Sequence, residues 1–171
     1  MIKGGNVNYN PVSGHIPFLM NQESVQAYTT VQPVHQLTFD NVYLLDRNHD
    51  VKSGAMVYEA LTLRTKANYQ FTRALSARVI IQYDSTLANP QMTSLKRTKQ
   101  LGTQALFTWL PHPGTAVYVG YNNDLQNISR SLCNRLGSGA CDANDTSLPR
   151  SNSLMNDGKT FFIKASYLLR F

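Results

Sequence analysis

Charge is scarce in this chain. Only 15% of its 171 residues are Asp, Glu, Lys or Arg, against roughly 25% in a typical soluble domain. Long apolar runs are missing too, since no stretch approaches the ~18 residues that a membrane-spanning helix needs. A helical membrane bundle is therefore excluded. The start, MIKGGNVNYN, holds one lysine and no apolar segment, so it is not a secretory signal. Catalytic signatures are absent: there is no Gly-x-Ser-x-Gly, no His-Glu-x-x-His and no Gly-rich phosphate loop. His49 and Asp50, with Asp46 nearby, fall in a polar break and read as turn-forming residues. His15, His35 and His112 are scattered over other breaks. No catalytic residue, cofactor or metal site is expected, and the chain is not read as an enzyme. The net charge of +6 comes without a helix-turn-helix, zinc-finger or RNP-like pattern, so nucleic acid is not an expected partner.

Cysteine is limited to Cys133 and Cys141, with seven residues between them in the Gly/Ser-rich stretch SLCNRLGSGACDAND. No histidine lies beside them, and metal binding needs more ligands. A local disulfide, and hence an oxidising compartment, is the expectation.

What replaces charge is Asn, Gln, Ser, Thr and Tyr, arranged in alternation with apolar residues. Strands are predicted near 2–9, 23–32, 36–46, 58–71, 75–84, 100–110, 115–124 and 159–171. Successive side chains of a strand point to opposite faces. In EALTLRTKANYQF one face is Leu61, Leu63, Thr65, Ala67, Tyr69 and Phe71; the other carries Arg64, Lys66, Asn68 and Gln70. LSARVIIQYD sets Leu75, Ala77, Val79, Ile81 and Tyr83 against Ser76, Arg78, Ile80, Gln82 and Asp84. The ending KTFFIKASYLLRF sets Phe161, Ile163, Ala165, Tyr167, Leu169 and Phe171 against Phe162, Lys164, Ser166, Leu168 and Arg170.

The breaks alternate in length. Those at 33–35, 72–74 and 111–114 are short, whereas 10–22, 47–57, 85–99 and 125–158 are long. That is an up-and-down meander with tight turns at one rim and long loops at the other, the polarity of outer-membrane barrels. Tyr69, Phe71, Trp109, Tyr167 and Phe171 all fall at the short-turn rim, as ring side chains do at a membrane–water boundary. Arg64, Lys66, Arg78, Asp84, Lys164 and Arg170 all take the polar face. An Arg or Lys facing lipid at mid-bilayer costs about 2–4 kcal/mol, so this face is assigned to the lumen. A basic lumen favours anionic solutes.

A final strand with alternating apolar residues and a terminal Phe resembles the C-terminal assembly signal of Gram-negative outer-membrane proteins. Here Ile163, Ala165, Tyr167, Leu169 and Phe171 carry the match. More narrowly, NYQFTRALSARVIIQYDS, LFTWLPHPGTAVYVGYNND and KTFFIKASYLLRF are similar to the C-terminal barrel of a large bacterial outer-membrane family. Its longer members place a carbohydrate-binding-like domain ahead of the barrel. The resemblance implies residence in the bacterial outer membrane, contact with its lipid and lipopolysaccharide, and insertion by the barrel-assembly machinery.

Together these readings give an all-β, antiparallel, up-and-down transmembrane barrel over residues 1–171. About eight strands belong to this chain, read as the C-terminal portion of a larger barrel, with 125–158 as a long external loop. The expected role is a passive, porin-like channel. One alternative is a plugged scaffold that binds or adheres through external loops. Another is a soluble β-barrel or sandwich that binds a ligand. External basic residues Lys96, Arg97, Lys99, Arg130, Arg135 and Arg150 are candidates for lipopolysaccharide phosphates, or simply keep the loops soluble.

Overall fold

The computed structural model describes residues 1–130, 133–134, 136–143 and 149–167. Eight strands follow one another: β1 (Ile2–Asn8), β2 (Phe18–Val34), β3 (Leu37–Asp50), β4 (Met56–Gln70), β5 (Leu75–Ala88), β6 (Thr98–His112), β7 (Thr115–Ile128) and β8 (Arg150–Tyr167). They form a single antiparallel sheet in chain order, β1 to β8, and no helix occurs among the described residues. The sheet is not closed; β1 and β8 are its two edges.

The turns at one rim are tight because their residues supply the geometry. Between β6 and β7, Pro113 presets φ and Gly114 takes φ 87°, a left-handed conformation that a side chain disfavours. Between β4 and β5, the Thr72 hydroxyl oxygen accepts from the backbone N–H groups of Ala74 (3.2 Å) and Leu75 (3.1 Å).

At the opposite rim the strands run further than alternation suggests. Here β3 continues to Asp50, β5 to Ala88 and β7 to Ile128, while β2 begins at Phe18 and β8 at Arg150. The backbone ladder needs no apolar side chain, and polar pairs support it. Arg47 bridges to Glu59 at 2.6 Å, and Asn6 donates to Asn48 at 3.3 Å. The expected loop at 47–57 thus shrinks to 51–55, and 125–158 becomes a connection at 129–149. Asp46, His49 and Asp50 lie in β3 rather than in a loop, and Asp46 and His49 point to opposite faces of it. Cys133 and Cys141 are joined by a disulfide within the 129–149 connection.

Cross-strand pairing sorts the side chains. One face carries rows such as Ala67, Val79, Ala105, Tyr121 and Phe161, or Tyr69, Ala77, Phe107, Val119 and Ile163. The other carries Arg64, Gln82, Gly102, Asp124 and Gly158. The second face is concave. The Asn8 side chain on β1 binds the carbonyl of Met92, four residues beyond the end of β5. Depressions on this face are lined together by side chains of neighbouring strands, β3 to β6 in one and β4 to β8 in another, so the sheet curls round its polar face.

Among the described residues no second layer covers the apolar face. Val79, Ile81, Phe107, Trp109, Phe161 and Ile163 are exposed, Ile163 at 66%. The largest fully buried side chains, Met20, Asn48, Val57 and Thr93, gather instead at the long-loop rim.

Candidate functional site: the concave face

Parity within each strand decides which side chains reach this face, and pairing decides which of them meet. Arg64 and Lys66 on β4, Arg78 and Asp84 on β5 and Lys164 on β8 all share it. Arg170 lies outside the described residues, as do Leu169 and Phe171 of the terminal segment. Ile163 and Ala165 take the convex face with Tyr167, at the end of β8 as described.

Alternation within a single strand did not expose how the charges are distributed along the sheet. Asp46, Asp84 and Asp124 each sit four residues before the long-loop end of their strand, at Asp50, Ala88 and Ile128. Lys66 lies four residues before the short-turn end of β4. Arg78 lies three residues after the start of β5, and Lys164 three before Tyr167. The concave face therefore carries an acidic belt towards the long loops and a basic belt towards the tight turns, with Arg64 between them. Arg150 adds a cation at the long-loop rim, where it donates to the Gln126 side chain at 3.2 Å.

Within the belts, partners differ. Lys66 bridges to Asp40 at 2.8 Å, and Asp40 also accepts from Thr30 at 2.8 Å. Asp84 is held by neutral donors, Thr62 at 2.6 Å and Gln82 at 2.8 Å, and Asp46 accepts from Gln22 at 3.2 Å. Among the described residues Arg64, Arg78 and Lys164 have no carboxylate within ion-pair distance. Their charge is available to a solute.

Depressions line the face, among them one of about 210 Å³ bounded by Arg78, Gln104, Leu106, Asn122 and Phe162. Another, of about 510 Å³, lies at the short-turn rim among Thr38, Asn68, Gln70, Ser76, Arg78 and Thr108. A third, about 220 Å³, is bounded by Arg64, Gln82, Asp84, Gln100, Gln104 and Asp124. A fourth, about 340 Å³, lies towards the long loops among Thr62, Asp84, Thr86, Gln100, Gln126 and Arg150. The walls are mostly amides and hydroxyls, which exchange hydrogen bonds with water or a polar solute without strong capture. No cluster of three His, Cys, Asp or Glu side chains suited to a metal occurs among the described residues.

Phe162 is an aromatic ring on the polar face, and its register explains it. It pairs directly with Gly120, where an added Cβ would collide with the ring. An aromatic side chain lying across a strand glycine covers the exposed backbone there and pins the register.

Several residues that shape this face escaped sequence reasoning. Asp40 and Asp124 share parity with Lys66 and Asp84 in their strands, a signal that existed but was outweighed by the more numerous cations. Asn8, Asn48 and Asn127 gave none, because asparagine in a polar chain looks alike in a loop and in a buried hydrogen-bond network. Of the basic loop residues, Arg97 donates to the Ala88 carbonyl at 2.8 Å, Lys99 lies within β6, and Arg135 is outside the described residues. No protein-family model, curated protein or solved structure matches the chain.

Proposed function

We propose that this chain forms part of the wall of a transmembrane β-barrel in a bacterial outer membrane, and that its concave face lines a passive passage for polar solutes. What carries the reading is the inverted distribution of side chains. A water-soluble sheet protein places its apolar face against a core. Here the apolar rows are left outward while Arg64, Lys66, Arg78, Asp84, Asp124 and Lys164 turn inward, the arrangement that lipid on one side and water on the other would select. Of the outward ions, Lys3, Glu23, Arg47, Glu59 and Lys99 keep to the long-loop rim, and Lys159 stands in the row of Ile81. The rings of Tyr69, Phe71, Phe107 and Trp109 add to this. Tyr69 and Phe71 meet edge-on at 4.6 Å and Phe71 stacks on Phe107 at 6.5 Å, as an interfacial girdle would. The basic belt makes the short-turn end attractive to anionic solutes, and the acidic belt makes the other end less so.

Insertion through β8 by the barrel-assembly machinery follows the terminal pattern of Ile163, Ala165, Tyr167, Leu169 and Phe171. Spin labels at Leu63, Val79, Phe107 and Ile163 test the lipid contact. In outer-membrane vesicles they are expected to be open to oxygen and closed to a water-soluble relaxation agent. Immobile labels shielded from both would end the membrane reading. A second reading is a plugged scaffold, in which the passage is blocked and external loops make the contacts. It is favoured by the way the 89–97 segment folds over the concave face.

A further inference from the structure

The register Thr86↔Thr98 leaves β5 and β6 side by side, so a tight turn would suffice to join them. The chain does something else. Residues 89–97 leave β5, run along the start of β4, cross to the end of β1 and return to β6.

Anchors hold the segment along this route. Asn89 donates from its backbone N to the Val57 carbonyl (2.8 Å) and from its side chain to the Met56 carbonyl (3.1 Å). At the far end, Asn8 donates to the Met92 carbonyl (3.1 Å). The Asn10 carbonyl accepts from the Thr93 hydroxyl (2.7 Å) and the Ser94 N–H (2.9 Å). On the return, the Arg97 carbonyl accepts from Asn127 at 3.0 Å, and Asn127 accepts from Lys99 N at 2.8 Å. Beneath lie Met20, Asn48 and Ala88, all buried side chains of the concave face. Loops that merely decorate a rim are not tied down in this way, since backbone groups in a surface loop bond to water at little cost.

We infer that residues 89–97 are a strap across the long-loop mouth, which narrows the passage and sets the size of solute it admits. The inference rests on the concave face being a lumen wall, as proposed above. Geometrically, the strap's anchors run from the start of β4 to the end of β1, at the long-loop end of the strands that carry Asp46 and Asp84. Its fixed hydrogen bonds make it a built constriction rather than a flap that water alone could displace. A pore's admittance follows its narrowest polar cross-section.

The test uses the full chain and two variants in planar bilayers, with liposome swelling in sugars of increasing size. In one variant residues 90–96 are replaced by Gly-Ser-Gly. In the other, Asn8→Ala and Thr93→Ala remove two side-chain anchors at the far end, leaving the Ser94 bonds to the Asn10 carbonyl, while keeping the length; this variant decides if the shortened one loses heat-modifiable mobility. Both are expected to conduct at least about twofold better than the parent and to admit larger sugars. A silent parent with conducting variants also supports the strap, as a seal. Equal conductance and equal size cutoff in all three overturn the strap and leave the passage reading intact. Silence in all three overturns both.

Discussion

The convex and concave faces of this sheet use the same eight strands to opposite ends. Outward, Val79, Ile81, Phe107 and Ile163 are exposed, with no layer of the described residues over them. Inward, charged and amide side chains bond to one another, and a strap folds onto them. The convex rows resemble a protein interior in composition, yet the buried, hydrogen-bonded structure is on the polar side. The comparison teaches that burial here follows curvature and hydrogen bonding, while the apolar side chains go to the side that none of the described residues covers.

The sharpest way to break that comparison is to exchange character between faces. Val79→Arg places a charge on the convex row and is expected to cost about 2–4 kcal/mol in a bilayer. Gln82→Arg, on the concave face, is expected to be tolerated. Urea titration in lipid vesicles, followed by tryptophan fluorescence, measures both. Equal tolerance of the two would remove the reason for calling the faces different.

Next in size is the strap anchor. Asn8 is 2% exposed, and its side chain donates to Met92 and accepts from the Asn10 N–H (3.0 Å). Asn8→Ala removes two part-buried hydrogen bonds at once, an expected loss of about 1–3 kcal/mol in all. Hydrogen exchange should show amides near residues 10 and 94 losing protection before those of β4 and β5.

A smaller effect is expected from Gly120→Ala. The added Cβ meets the Phe162 ring, but that ring is 40% exposed and can swing away. Its cost is expected at the low end of overpacking, about 1 kcal/mol. In a double-mutant cycle with Phe162→Ala that cost should vanish, since the obstacle is gone. A cost that persists would place the strain in the backbone instead.

Smallest of all is the Asp40–Lys66 pair. Both side chains are about one-third exposed, and bridges of that kind contribute roughly 0–1 kcal/mol. Asp40→Asn should therefore hardly move the urea midpoint. It would free Lys66 and extend the basic belt, so any effect belongs in ion selectivity, read as a shift in reversal potential towards anions.

Much of this sheet was legible before folding was considered. The alternations in EALTLRTKANYQF and LSARVIIQYD assign Leu63, Val79, Arg64 and Arg78 to their faces, because the two-residue period of an extended chain is a local property. Eight strands, tight turns at 113–114 and 71–74, and the Cys133–Cys141 pair could be read for the same reason. The strand ends at the long-loop rim were not legible, since polar residues such as Arg47 and Asn48 give the same pattern in a ladder as in a loop.

By itself, then, the order of residues determined that the chain makes alternating strands with one apolar and one polar face. Only the tertiary structure decided which charges stand level with one another, that Phe162 lies on Gly120, and that residues 89–97 cross to β1. These depend on register and curvature, which join residues up to 84 positions apart. No local period carries information over that distance; it is set when the strands pair and the sheet bends.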